Sequence, residues 1–258
     1  MKKFLIAVIV FSPLFLLRAQ PSYWYRNLGG FYMNRGRYRQ ALSAFTQISP
    51  TVSLSAKTLY SIAFCYYKTG QIRQALEILK KVHMTDPAFK KTTGLRGSCL
   101  MKLGKYRSAI PLWKGIIARR GFSYFIASRL GLCYDRIGNR YQALIWFQKA
   151  LLYKKEGWLC LKIATLFWRL QRYGRALFFY RQAVFLGVRK QWLSFRIYQT
   201  TFRFAVQLKR RGMFSRSLHI FCDLALSFPS HSYASRCHRQ IAALLQLLIR
   251  KKALLFIK

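Results

Sequence analysis

Small and apolar residues return along this chain at a fixed interval. The phrase Gly36-Arg37-Tyr38-Arg39-Gln40-Ala41-Leu42 recurs as Gly70-Gln71-Ile72-Arg73-Gln74-Ala75-Leu76, Gly104-Lys105-Tyr106-Arg107-Ser108-Ala109-Ile110 and Gly138-Asn139-Arg140-Tyr141-Gln142-Ala143-Leu144. Weaker copies are Arg172-Tyr173-Gly174-Arg175-Ala176-Leu177 and Gly212-Met213-Phe214-Ser215-Arg216-Ser217-Leu218. The small residue of each phrase stands at 41, 75, 109, 143, 176 and 217, in steps of 34, 34, 34, 33 and 41. Such a period predicts a chain of supersecondary units, each a helix, a turn and a second helix. Glycine at the turn supplies the backbone conformation of a helix exit. Small Gly29, Gly97 and Gly131 oppose Ala41, Ala109 and Ala143, so paired axes can approach closely. Phe45, Trp113, Phe147, Tyr180 and Phe221 then seal each hairpin against the next, because a lone hairpin cannot hide its apolar face. The step of 41 is seven residues too long, which predicts a longer loop or an extended helix around 187–192.

These residues resemble the tetratricopeptide-repeat family. The first copy carries Leu28-Gly29, Tyr32, Gly36, Tyr38, Ala41 and Phe45 at the family's positions. The second carries Tyr66, Gly70, Ala75 and Pro87; the fourth Leu130-Gly131, Tyr134, Ala143, Phe147 and Ala150; the sixth Gly212, Phe214, Phe221 and Pro229. The resemblance implies an all-α, right-handed α-solenoid of about six helix-turn-helix repeats over 22–229, divided near 22–55, 56–89, 90–123, 124–156, 157–197 and 198–229. A C-terminal capping helix is expected over 230–258. Its run Ala242-Ala243-Leu244-Leu245 is more apolar than a cap requires.

The chemistry-bearing residues point away from catalysis. Cys65, Cys99 and Cys133 are spaced by 34, so they occupy one packing column, with Phe31 and Leu166 at the equivalent places, and are read as core. Successive hairpins hold such residues about 8–10 Å apart, beyond the reach of a disulfide. Cys222 and Cys237 could pair to tie down the last helix. His83, His219, His231 and His238 are scattered without metal-ligand spacing, and no phosphate-cradling loop or nucleophile elbow occurs. The reading is a non-enzyme without metal or cofactor.

Charge changes the picture most. Forty-six Lys and Arg face five acids, Glu77, Asp86, Asp135, Glu156 and Asp223, for a net charge of +41. Self-repulsion of this size favours polyanionic partners. Residues seven before each repeat's small residue are Asn34, Lys68, Lys102, Arg136, Arg169 and Arg210, and those fourteen before include Arg129, Lys162 and Arg203. Family resemblance puts these first-helix positions on a concave groove. Tyr60, Tyr67, Phe125, Trp158 and Trp168 share that surface, as do Phe64 and Phe202. The groove predicts charge-assisted capture of carboxylates or phosphates. The family's carboxylate clamp is not reproduced, because Gly30, Phe64 and Ser98 stand where inward asparagines belong.

At the N-terminus Met1-Lys2-Lys3, an apolar run from Phe4 to Leu17 and Arg18-Ala19-Gln20 have the layout of a secretory signal over 1–19. The expected function is an exported, periplasmic or secreted, interaction scaffold. Its expected partner is an acidic protein segment or an anionic envelope polymer or lipid. A nucleic-acid-binding solenoid, for which basic grooves with aromatics also suit, and a peripheral membrane protein are the alternatives.

Overall fold

The structure, a computed structural model, describes residues 21–49, 53–82, 89–189, 191–227 and 232–256. The proposed signal at 1–19 lies outside the described residues, as do Asp86, Pro87 and Pro229. Among the described residues the chain is all-α. Its helices are α1 (Ser22–Asn34), α2 (Tyr38–Thr46), α3 (Ala56–Lys68), α4 (Ile72–Lys80), α5 (Phe89–Lys102), α6 (Tyr106–Arg120), α7 (Tyr124–Arg136), α8 (Arg140–Tyr153), α9 (Gly157–Arg169), α10 (Tyr173–Phe185), α11 (Gln191–Arg210), α12 (Phe214–Ser227) and α13 (Ser232–Phe256). They form two compact units, one ending at Arg120 and the other starting at Gly121.

In the first unit, α1–α2, α3–α4 and α5–α6 are hairpins, and α3 also packs on both α1 and α5. In the second, α7–α8, α9–α10 and α11–α12 pair, and α13 closes the series on α12. Ser55, Ser123 and Asn139 cap α3, α7 and α8 by accepting from the amides of Thr58, Ile126 and Gln142. Such caps satisfy backbone donors that a helix start leaves unpaired.

Inside the hairpins the glycines do more than let axes approach. A Cβ on Gly131 would lie 2.5 Å from the Phe147 ring, and one on Gly29 would lie 2.5 Å from Phe45. Trp113 stands over Gly97 in the same way, at 2.7 Å. In these three hairpins the aromatic that follows the repeat alanine by four residues therefore fills the hollow of its own hairpin's glycine. The cysteine column is buried as expected, but Phe31 is 47% exposed. It lies on α1, which begins the described hairpins.

The turn of the fifth hairpin departs from glycine. Gly36, Gly70, Gly104, Gly138 and Gly212 all take positive φ, and the equivalent place, five before Ala176, is Gln171 at φ 57°. A side chain in that region costs roughly 1–2 kcal/mol. Gln207 on α11 donates to the Gln171 carbonyl at 3.2 Å, which helps hold it. That bond uses backbone oxygen, so it survives substitution. Gln171→Gly is expected to stabilise the second unit by about 1 kcal/mol, read as a raised urea midpoint.

The seven-residue excess before Ser217 is helix. α11 has 20 residues where α9 has 13. Tyr198, Ala205, Phe221, Leu224, Cys237 and Leu244 then bury together where α11, α12 and α13 meet.

All six cysteines are free thiols, Cys222 and Cys237 included. The Cys237 thiol lies 3.3 Å from the Tyr198 hydroxyl. Burial pushes Cys65, Cys99 and Cys133 up to about 11. Ionised thiolate thus accumulates first in the unfolded chain, so stability is unaffected well below the ordinary thiol value and falls as pH rises from about 9 towards 11. Urea midpoints at pH 7.5 and 10.5 measure this loss. At pH 8, iodoacetamide should modify half-buried Cys222 and spare the buried column.

Candidate binding surface

The residues singled out by spacing fall on both units. On the first, Lys68 ends α3 and is exposed, its Nζ 5.4 Å from the Phe64 ring centre and 5.9 Å from that of Tyr38. Tyr60 stacks on Phe64 with ring centres 6.1 Å apart, and burial raises its phenol above the usual range. Tyr67 is half-buried on α3, and Lys102 is exposed at the end of α5. Cation–aromatic contact of this sort steadies a lysine without neutralising it.

The second unit gathers the rest. Arg129 covers the exposed Phe125 ring at 4.8 Å, and Arg136 is exposed at the end of α7. Trp158 is taken up by packing. Its indole donates to the Tyr124 hydroxyl at 2.9 Å, and its ring meets Phe147 edge-on. Lys162 and Arg169 converge on one acid, Asp135, each at 3.5 Å from a carboxylate oxygen. Asp135 is only 13% exposed, so α7 supplies an internal counter-ion to α9. Two cations of the expected ladder are thereby partly spent within the fold, a pairing that spacing of basic residues alone does not reveal.

Positive charge concentrates further along. A cavity of about 640 Å³ is lined by Arg196, Arg203, Arg210 and Arg211 from α11 and its end, Arg236 from α13, and Trp168 from α9. No acid lines it; Gln171, Gln199, Gln207, Tyr173 and Tyr198 supply the remaining polar groups, and Phe202 and Val206 the apolar ones. Arg196 and Arg203 both lie over the Trp168 ring, at 4.9 and 5.4 Å. The buried Trp168 indole nitrogen has no hydrogen-bond partner. Arg196 also donates to the Gln199 side-chain oxygen at 3.4 Å, and a guanidinium seated over an aromatic ring can still grip a carboxylate or phosphate with two parallel bonds. The volume is within the ordinary range for ligand pockets.

Of this set, the sequence identified Trp168, Phe202, Arg203 and Arg210. It missed Arg196, Arg211 and Arg236. Arg196 was within reach, because 196, 203 and 210 form one row at intervals of seven once α11 is known to be a longer helix. Arg236 carried no such signal, since only the packing of α13 on α12 brings it to the cavity.

Comparison with known proteins agrees with this architecture. The tetratricopeptide-repeat family matches residues 57–83, the span of α3 and α4. MamA from MSR-1 superposes with a TM-score of 0.58 at 23% identity, covering 64% of this chain and 95% of that one. MamA (41-end) from Desulfovibrio magneticus RS-1 gives 0.59 at 20% identity, with 64% and 94% covered. MamA from AMB-1 gives 0.57 at 25% identity, with 64% and 98% covered. No curated protein matches the chain. Arrays of this construction are protein-interaction scaffolds and typically non-catalytic. The chain therefore carries one tetratricopeptide repeat matched outright at 57–83 and shares a paired-helix fold with the MamA structures.

Proposed function

We propose that this protein is a non-catalytic scaffold that docks an acidic protein segment on the first-helix surface of its second unit, with the Trp168 cavity as the anchoring point. One observation carries the reading: five arginines line that cavity with no acid among them. Bringing five guanidiniums together is unfavourable unless an anion completes the set, and repulsion of that kind is relieved on binding. The groove cations Arg129 and Arg136 extend the surface, while Lys162 and Arg169 are already held by Asp135. Export, argued from residues 1–19, would present this surface to envelope proteins or anionic envelope polymers and keep it from cellular nucleic acid.

A glutamate-rich peptide titrated into the full chain is expected to bind and to change Trp168 emission, with affinity falling as salt rises. A single-stranded RNA oligonucleotide of equal charge serves as the second arm. Equal or tighter RNA binding at the same cavity would replace the protein-docking reading with the nucleic-acid one. No Trp168 response to either polymer would remove the cavity from the account.

A further inference from the structure

The outward positions of the second helices differ between the two units. Two and nine residues after each small residue stand Ile145 and Leu152 on α8, Phe178 and Phe185 on α10, and His219 and Leu226 on α12. Seven residues are close to two helical turns, so each pair shares one helix face. Leu152, Phe185 and Leu226, equivalent in three successive hairpins, are 86%, 84% and 80% exposed. Phe178 and Ile145 are exposed as well. In the first unit the described residues at the same positions are Ser43, Glu77, Pro111 and Ala118, all exposed and none a large hydrophobe, while positions 50 and 84 lie outside the described residues. Scattered exposed hydrophobics need no explanation, but a register-matched set marks an interaction surface.

Charge decides what covers it. Exposed Lys154 and Lys155 directly follow α8, Arg189 follows α10, and Arg181 stands one turn from both Phe178 and Phe185. Two acids stand nearby. Glu156 is paired with Lys154, which leaves Lys155, Arg181 and Arg189 to carry the positive charge of this face. Exposed Asp223 lies 3.6 Å from His219 Nδ1, an ion pair only when the imidazole is protonated. A second copy would bring 46 basic residues against 46 with few acids to offset them, which self-repulsion opposes. An anionic bilayer meets both requirements, taking apolar tips into its acyl boundary and basic side chains at its headgroups. No helix among the described residues is long and apolar enough to cross a membrane, so the contact is peripheral.

We propose that the outward face of α8, α10 and α12 docks this protein on an anionic lipid surface, with Leu152, Phe185 and Leu226 inserted and the adjacent lysines and arginines on the headgroups. None of these residues lines the Trp168 cavity, so the bilayer contact stands apart from partner docking. The full chain and the variant Leu152→Ser/Phe185→Ser/Leu226→Ser are floated with vesicles containing about one-third phosphatidylglycerol, at moderate and at high salt. Exposed positions tolerate such changes, and circular dichroism checks the fold. The wild type is expected to float, and the variant to bind at least tenfold more weakly, with the difference persisting at high salt where charge alone is screened. A variant that floats as well as the wild type at both salts would overturn the proposal, because attraction would then be purely electrostatic. So would a wild type that fails to float, or one that prefers uncharged vesicles.

Discussion

Phe147→Ala is expected to lower the stability of the second unit by about 3–5 kcal/mol. The ring is fully buried, occupies the hollow over Gly131 and meets Trp158 edge-on at 6.3 Å. Its removal loses apolar burial and leaves a void bounded by helix backbone, which cannot collapse readily. Gly131→Ala alone should cost about 1–3 kcal/mol by overpacking against the same ring. The two changes therefore couple. Once Phe147 is alanine, the added Cβ meets no ring, and Gly131→Ala should become almost free. A double-mutant cycle from urea melts followed by circular dichroism tests this. Additive losses would mean that the glycine is required for backbone reasons and not for the ring.

The second large effect concerns binding. Changing Arg196, Arg203 and Arg210 together to glutamate should weaken capture of a glutamate-rich peptide by about 100-fold or more, since each charge-assisted bond contributes roughly 1.5–3 kcal/mol and reversal adds repulsion. The intermediate variant Arg196→Gln/Arg203→Gln separates charge from packing. Both guanidiniums cover Trp168, so their loss should also shift its emission in the free protein. Isothermal titration of the three proteins gives the affinities. Unchanged affinity in the triple variant would place the anchor elsewhere on the surface.

The repeat was legible because its determinants are local. A glycine that must take positive φ, a small residue that lets helices approach and an aromatic four positions on are each readable from one segment. The exception confirms the rule physically: Gln171 occupies the left-handed turn position without looking like a turn residue, held in part by Gln207 thirty-six positions away. The extended step announced extra residues but not their conformation, because helix and loop were both compatible with seven more residues. The binding surface was legible as a row of cations and illegible as an electrostatic balance. Asp135 reaches Lys162 and Arg169 only after α7 and α9 have packed, and Arg236 joins the cavity only after α13 has folded back on α12. Arg169 does stand one repeat period of 34 residues after Asp135, but the period alone does not say that the two side chains meet.

The added turns of α11 also set a ruler. Arg196, Arg203 and Arg210 mark that helix every seven residues, or about 10 Å at the rise of an α-helix. A polyproline II segment covers nearly the same distance, about 9 Å, in one three-residue turn and brings every third side chain back to the same face. A ligand chain lying along α11 therefore offers every third side chain to successive guanidiniums. Acids at i, i+3 and i+6 match the spacing, while the residues between them face elsewhere and are free to vary.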